Sequence, residues 1–227
     1  MNIKLVVFDI AGTTVIDRGN INEAFRNAFS NVGYEVDADD VDKVMGYRKN
    51  DAIKIILDKY NQQANNSNAQ FAEVIHNDFT DNMVQFYEED DELKPMPFAA
   101  EVFEQLQKQG IKIALNTGFT KVITDAILNR LNWNTNPLIN AVISSDEVPE
   151  GRPQSYMIKK IMEQLRIGDA QNVAKVGDTK VDIEEGRNAG CGLVVAVTTG
   201  AYTREQLQPY YPDHIIDSLQ QLPALIH

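Results

Sequence analysis

The chain has 227 residues, which is long enough for one full α/β domain with a smaller insert, and its 43% hydrophobic and 24% charged residues are ordinary for a soluble globular protein. Its formal net charge of -12 argues against nucleic acid or an anionic membrane as a partner, although a local group of cations could still bind a phosphorylated substrate. No apolar run approaches the roughly 18–20 residues that a membrane helix needs.

The cysteine count and the start of the chain favour a cytoplasmic protein. Cys191 is the single cysteine, which excludes an intrachain disulfide and suits a reducing compartment. We expect no signal peptide, because no charged and apolar leader precedes the first apolar run.

Apolar runs alternate with amphipathic stretches along most of the chain, a pattern typical of βαβ units and a parallel sheet. The predicted strands are residues 3–8, 111–115, 141–144, 173–176 and 193–197. The predicted helices are residues 100–109, 122–131, 155–165 and 183–189. Ligands bind such sheets beyond the carboxyl ends of the strands, so Asp9, Thr117 and Asp178, which follow three of these strands, are expected to share one crevice.

One region interrupts this alternation. Residues 20–93 show helical patterns only, with a polar stretch at 61–70 that reads as a loop between helices. The segment 94–97 (KPMP) then marks the return to the alternating pattern. The predicted fold is therefore α/β, with a Rossmann-like parallel-sheet core (1–18 and 95–227) and an inserted helical cap (19–94).

Carboxylates at two strand ends suggest a metal site. Asp9 ends the first strand in segment 8–14 (FDIAGTT), and Asp178 and Asp182 follow a later strand in segment 175–182 (KVGDTKVD). Taken alone, each acid could be a helix cap or a solvated turn residue. Brought to one sheet edge, they could bind Mg²⁺, which prefers oxygen ligands.

Two further segments could handle a phosphoryl group. Thr117 and Gly118 offer a hydroxyl and a backbone N–H after a strand, a natural anion cradle. Arg152 lies in segment 147–153 (EVPEGRP), where Gly151 and Pro153 stiffen the loop that carries it. A lone arginine is usually a surface charge, but the stiffened loop favours an Arg152 side chain that is held in a fixed direction, as a ligand-binding residue would be.

These four segments, in this order, resemble the haloacid dehalogenase superfamily over nearly the whole chain, and more narrowly its phosphonatase family. Ala11 stands where ordinary phosphatases of the superfamily have a second Asp, and Arg152 where most members have lysine. The segment 45–49 (MGYRK) resembles the family segment whose lysine forms a Schiff base, which here is Lys49.

The resemblance implies a role for each of these residues. Asp9 would be the nucleophile that accepts the phosphoryl group, and Lys49 would form an iminium with the substrate carbonyl, with Thr117 and Arg152 as further catalytic residues. Phosphoryl oxygens would be bound by Thr13, Thr117, Gly118 and Arg152. Mg²⁺ would be held by Asp9, the Ala11 carbonyl and Asp178, with Asp182 supporting them.

Ala11 cannot protonate a departing alkoxide, and loss of a general acid typically costs about 10²–10⁴-fold in rate. This argues against an ordinary phosphomonoesterase. Cleavage of a C–P bond instead needs an electron sink, which a lysine iminium provides. We hypothesise that the pKa of Lys49 is lowered by desolvation, by Arg48 and by the start of a helix with Asn50 as its N-cap.

Three positions depart from the phosphonatase pattern: Ala52 replaces a histidine, Phe119 a tyrosine and Asn20 a cysteine. They favour a 2-oxo-alkylphosphonate other than phosphonoacetaldehyde. A small-molecule phosphatase without Schiff-base chemistry is the alternative, and a sensor of a phosphorylated ligand is a third hypothesis. Relatives dimerise through the cap, so the resemblance leaves a homodimer open.

Overall fold

Six strands form one parallel sheet in the computed structural model, which describes residues 2–60 and 68–226. They are β1 (Leu5–Asp9), β2 (Lys112–Thr117), β3 (Ala141–Ser144), β4 (Val173–Gly177), β5 (Leu193–Val197) and β6 (His214–Ile216). Their order across the sheet is β3-β2-β1-β4-β5-β6. The chain therefore has the predicted Rossmann-like α/β core.

Helices surround this sheet. The described α-helices are α1 (Asn20–Ser30), α2 (Ala38–Asp42), α3 (Lys49–Tyr60), α4 (Asn68–Glu89), α5 (Ala99–Lys108), α6 (Lys121–Arg130), α7 (Tyr156–Leu165), α8 (Lys180–Ala189) and α9 (Arg204–Leu207). Short 3-10 helices lie at Ser145–Glu147, Ala170–Asn172, Gln208–Tyr210 and Leu219–Leu225. Within the described ranges, none of the helices combines the length and the apolar character that crossing a membrane requires.

Five of the six strands lie where the apolar runs predict them, within one or two residues at each end. The edge strand β6 was not predicted. Its His214 is exposed and its Ile215 half-buried, so it lacks the continuous apolar run that marks the central strands.

The central strands are apolar throughout because both faces of the sheet are covered. In β1, Val6 and Phe8 pack into the hydrophobic cluster on one side, and Leu5 and Val7 into the cluster on the other. All four side chains are fully buried. This packing fixes the direction in which the end of β1 presents Asp9.

Helices α1 to α4 form an insert between β1 and α5. The two connections to the core run side by side, since Ile16 N–H donates to the Lys94 carbonyl (3.1 Å) and Met96 N–H to the Thr14 carbonyl (2.8 Å). The division into a core (1–18 and 95–227) and a cap (19–94) stays a prediction, because buried residues of the insert belong to the same hydrophobic cluster as β1. Of the loop predicted at 61–70, residues 61–67 lie outside the described ranges, and α4 begins at Asn68.

The strand order reverses between β1 and β4. From β1 the chain moves outward to β2 and β3, then returns to β4 and continues to β5 and β6 on the other side. A crevice opens at such a switch point beyond the carboxyl ends of the strands. Asp9 at the end of β1 and Asp178 just after β4 therefore face the same opening.

Candidate active site

Asp9 is held by a buried arginine. Arg152 Nη1 lies 2.6 Å from Asp9 Oδ1, and the loop that carries Arg152 precedes α7. Both side chains are almost completely buried. Burial raises the pKa of Asp9 to about 6, although the Arg152 guanidinium acts in the opposite direction.

The guanidinium of Arg152 is fixed on every side. Nε donates to Glu185 Oε2 (2.9 Å), Nη2 donates to the carbonyl and side-chain oxygens of Asn116 (2.8 and 2.6 Å), and Nη1 also lies 2.9 Å from Asp182. Because its nitrogens all have acceptors, Arg152 has a single orientation, which presents Nη1 to Asp9.

Lys175 closes this network from the sheet. It lies in β4 and is fully buried, with Nζ 2.6 Å from Asn116 Oδ1, 3.0 Å from Asp182 and 3.2 Å from Glu185. Burial opposes ionisation of Asp182, but Arg152 and Lys175 keep its pKa below the usual value. Asp182 thus contacts Arg152, which in turn contacts Asp9, and this is the position of a supporting acid.

Asp178 is held by hydrogen bonds from two other segments of the core. Its carboxylate accepts the Thr13 hydroxyl (3.1 Å) and the Ala201 backbone N–H (2.7 Å). Burial and the nearby Asp9 and Asp182 carboxylates raise the pKa of Asp178 well above its usual value. In this structure the Thr13 hydroxyl supports a carboxylate, and the prediction that Thr13 binds a phosphoryl group stays a prediction.

The charges around this site are unequal. Four buried carboxylates (Asp9, Asp178, Asp182 and Glu185) outnumber three buried cations (Arg152, Lys175 and Lys49). A divalent cation would offset this excess of negative charge, and Asp9, the Ala11 carbonyl and Asp178 offer the oxygen ligands that Mg²⁺ prefers. The residues therefore fit Mg²⁺, although the described residues include no group of three His, Cys, Asp or Glu side chains arranged to hold a metal.

Lys49 lies in an aromatic cage formed by Phe25, Phe79 and Phe119. Its Nζ is 4.8 Å from the ring centroid of Phe119, 5.5 Å from that of Phe25 and 6.0 Å from that of Phe79. Only 4% of Lys49 is exposed, and among the described residues its amine has no hydrogen-bond partner. Desolvation lowers the pKa of Lys49 to about 8, with a smaller contribution from Arg152.

Two predicted details of the Lys49 environment are wrong. The guanidinium of Arg48 points away, donating to the Pro149 and Val148 carbonyls (2.9 and 3.2 Å), so it is not the cation that lowers the Lys49 pKa. Asn50 is not an N-cap, because α3 begins at Lys49 itself. Desolvation, which the hypothesis also named, is the largest cause of the lowered Lys49 pKa.

The insert loop (residues 43–48) carries Lys49 onto the core by close backbone contact. A Cβ on Gly46 would collide with the Thr179 side chain, and Gly46 also has a positive φ of 84°. A Cβ on Gly118 would collide with the Tyr47 carbonyl. Glycine at both positions therefore lets this loop reach the end of β2.

Predicted site residues of the sheet core and predicted site residues of the insert meet in one small cavity, called here the central cavity. It has a volume of about 30 Å³. That space holds a water or an ion, whereas ligand pockets usually measure about 300–1,000 Å³. Its walls are formed by Asp9, Ala11, Asp17, Ile21, Met45, Gly46, Lys49, Thr117, Gly118, Phe119, Asp178, Thr179 and Ala201.

Thr117 and Gly118 line this cavity beside Asp9, as the strand ends predict. The Thr117 hydroxyl accepts the Phe119 backbone N–H (3.1 Å), which fixes the turn after β2. The structure thus brings together Asp9, Lys49, Thr117 and Gly118 around one space. Arg152 reaches that space through Asp9.

Sequence reasoning missed four residues of this site: Asn116, Lys175, Glu185 and Asp17. Lys175 had a signal, because a lysine inside an apolar strand must be paired when buried. Glu185 lies three residues after Asp182 and therefore on the same face of α8. Asp17 could not be found from a helix or strand pattern, since it lies in the connection before α1.

This fold and site define an α/β protein with a Rossmann-like parallel sheet and a buried carboxylate at its switch point. A profile of the haloacid dehalogenase-like hydrolase family matches residues 3–190. The chain therefore belongs to the haloacid dehalogenase-like hydrolase family, as the order of the four segments predicts.

Individual relatives give a narrower comparison. A phosphonoacetaldehyde hydrolase from Bacillus mycoides (strain KBAB4) is 29% identical over 235 residues, which cover 97% of this chain and 86% of that protein. The crystal structure of a phosphonoacetaldehyde hydrolase-like protein from Oleispira antarctica matches with a TM-score of 0.83 at 24% identity, covering 99% of this chain and 91% of the other. A hydrolase from Pseudomonas syringae matches with a TM-score of 0.85 at 17% identity, covering 98% and 97%. The phosphonatase resemblance of the sequence is confirmed, and the two structures share the fold.

Replacing Lys175 by Met should destabilise the protein by about 3–5 kcal/mol, because it leaves the buried Asp182 and Glu185 carboxylates without one of the two cations that contact them. Urea unfolding monitored by circular dichroism measures this change. Lys4→Met is the matched control, since Lys4 is exposed, and it should alter the free energy of unfolding by less than about 0.5 kcal/mol. Equal effects of the two substitutions would contradict the proposed charge network.

Proposed function

We propose that this enzyme hydrolyses the carbon–phosphorus bond of a 2-oxo-alkylphosphonate through an aspartyl phosphate on Asp9 and an iminium on Lys49. The observation that carries the proposal is the pairing of a carboxylate with a buried amine of lowered pKa in the same small cavity. Nucleophilic attack on a carbonyl needs such an amine, because only the neutral form reacts.

The first step belongs to Lys49. A lysine with a pKa of about 10.4 is less than about 0.1% neutral at pH 7, whereas a pKa of about 8 leaves roughly a tenth neutral. The neutral amine adds to the substrate carbonyl and water leaves, giving the iminium. The aromatic cage fixes the amine and keeps bulk water away from it.

The second step belongs to Asp9. An Asp9 oxygen attacks phosphorus, the C–P bond breaks, and its electron pair passes into the iminium to give an enamine. Water then hydrolyses the acyl phosphate, and hydrolysis of the protonated enamine frees Lys49. Arg152 holds Asp9 in one orientation for this attack.

Electrostatic repulsion is the main obstacle to this attack. A carboxylate about 4 Å from a phosphonate charge meets a cost on the order of 4 kcal/mol at an effective dielectric near 20. Bound Mg²⁺, held by Asp9, the Ala11 carbonyl and Asp178, would supply positive charge against that repulsion. Thr13, Thr117, the Gly118 N–H and Arg152 are the proposed partners of the phosphoryl oxygens.

The substrate differs from phosphonoacetaldehyde in this proposal. Phe119 is part of the aromatic cage, where the phosphonatase pattern has a tyrosine, and Ala52 is fully buried where that pattern has a histidine. Ile21 and Met45 add apolar surface to the cavity wall. A 2-oxo-alkylphosphonate with a short apolar chain suits the chemistry of these walls, and the cavity of about 30 Å³ must open to admit it.

A phosphatase without Schiff-base chemistry is the second candidate. Ala11 cannot protonate a leaving alkoxide, but Asp17 also lines the central cavity and is a carboxyl that could do so. In that case Lys49 would only bind the substrate. A small phosphonate or phosphate remains the proposed partner under both candidates, while the cytoplasmic location, the lack of nucleic-acid and membrane partners, and a homodimer stay predictions.

Phosphate release separates the two candidates. With Mg²⁺, wild-type enzyme should release phosphate from 2-oxopropylphosphonate, and Lys49→Arg should lower that rate to below about 1% because arginine cannot form an iminium. Phosphonoacetaldehyde and p-nitrophenyl phosphate are run in parallel. Release from the ester alone, unchanged by Lys49→Arg, would establish the phosphatase and contradict the proposal.

The pH dependence of iminium formation tests the state of Lys49. Trapping with 2-oxopropylphosphonate and cyanoborohydride should be slow at low pH, rise as the amine loses its proton, and level off above about pH 8. The rate is measured by mass spectrometry of the reduced adduct, with Lys49→Arg as the blank. A half-maximal rate near pH 10.4 would mean that Lys49 is an ordinary solvated lysine.

A further inference from the structure

Asp17 lines the central cavity and has no role in the Schiff-base chemistry described so far. It sits in the connection between β1 and α1 and shares the cavity wall with Lys49 and Asp9. Lys49 and Asp17 each act on the ionisation of the other, since each carries a Coulombic contribution to the pKa of the other. The two side chains therefore border the same space and lie within electrostatic range of each other.

The other carboxylates of the cavity are already engaged. Asp9 is paired with Arg152 at 2.6 Å, and Asp178 accepts the Thr13 hydroxyl and the Ala201 N–H. Asp17 is fixed differently, because its Oδ1 accepts the Gly19 backbone N–H (3.0 Å) ahead of α1. Among the described residues, no cation lies within 4.0 Å of its carboxylate.

Iminium formation needs a group that moves protons near the lysine. The carbonyl oxygen must be protonated to leave as water, and the reverse hydrolysis needs a base to activate water. The aromatic cage supplies three hydrocarbon faces and cannot do either. Burial raises the pKa of the Asp17 carboxyl above its usual value, although backbone N–H groups at the start of α1 and the Lys49 charge act in the opposite direction.

We propose that Asp17 is the acid and base that transfers protons during formation and hydrolysis of the Lys49 iminium, an inference that rests on the proposed function. The neutral amine adds to the carbonyl carbon, and a proton passes from nitrogen to oxygen to give a carbinolamine. Asp17 then donates its proton to the hydroxyl, the C–O bond breaks, water leaves, and the nitrogen lone pair forms the C=N bond. After phosphoryl transfer, the enamine carbon takes up a proton from water, which regenerates an iminium. The Asp17 carboxylate then takes a proton from the water that attacks this iminium, and the resulting carbinolamine breaks its C–N bond to release the ketone and the Lys49 amine.

The test is the rate at which Lys49 is trapped by 2-oxopropylphosphonate and cyanoborohydride in single-turnover experiments. The asparagine of Asp17→Asn keeps an oxygen that can accept the Gly19 N–H. Its amide cannot act as a general acid or base. We expect trapping to slow by about 10²–10⁴-fold, the usual effect of removing a general acid. Asp17→Glu, which restores a carboxyl, should recover part of the rate.

Asp81→Asn is the matched control, because Asp81 is an exposed acid on helix α4 of the same insert, and its trapping rate should equal that of wild type. Binding of propylphosphonate, which has no carbonyl, is measured by calorimetry and should be the same in wild type and Asp17→Asn. An equal loss of binding and trapping would show that Asp17 acts only on the structure and would overturn the inference.

Two failures are distinguishable. If wild-type Lys49 is trapped and Asp17→Asn is trapped at the same rate, the Asp17 inference is wrong and the proposed function stands. If wild-type enzyme gives no adduct at Lys49, the proposed function itself fails and the Asp17 inference fails with it.

Discussion

The buried guanidinium of Arg152 is the interaction on which the rest of the site depends. It joins the end of β1 to α8 and β2, through Asp9, Glu185 and Asn116. Burying a charge is costly unless it is paired and hydrogen-bonded, and here every nitrogen has an acceptor. An arginine can make this set of contacts because its fork reaches several acceptors at fixed angles, which the single ammonium of a lysine cannot do.

The core half of the site could be predicted from the sequence because the topology of the sheet does the positioning. Asp9, Thr117 and Asp178 each follow an apolar strand, and parallel strands bring their carboxyl ends to one edge. The partners of Arg152 could not be predicted in the same way. The contact between Asn116 and Glu185, for example, joins residues 69 positions apart, and no local pattern encodes it.

The half of the site that comes from the insert was predicted in outline, with desolvation correctly named as one cause of the lowered Lys49 pKa and Arg48 wrongly named as another. The motif around Lys49 pointed to a reactive amine, and the structure places that amine in the cavity with Asp9. Its lowered pKa comes first from desolvation among aromatic rings contributed by α1, α4 and the turn after β2. Those rings are distant in sequence, whereas Arg48 is adjacent and turns away. Adjacency in sequence was a poor guide to electrostatics here.

The buried carboxylates and the oxygen ligands around Asp9 predict that this site binds one divalent cation. Calorimetric titration of wild-type protein and Asp178→Asn with MgCl2 tests it without any substrate. We predict one Mg²⁺ per wild-type chain, accompanied by a higher Tm, and at least about tenfold weaker binding in the variant, which loses one charged ligand. Failure of the wild-type protein to bind Mg²⁺, or equal binding by both proteins, would contradict a divalent-cation site at Asp9 and Asp178.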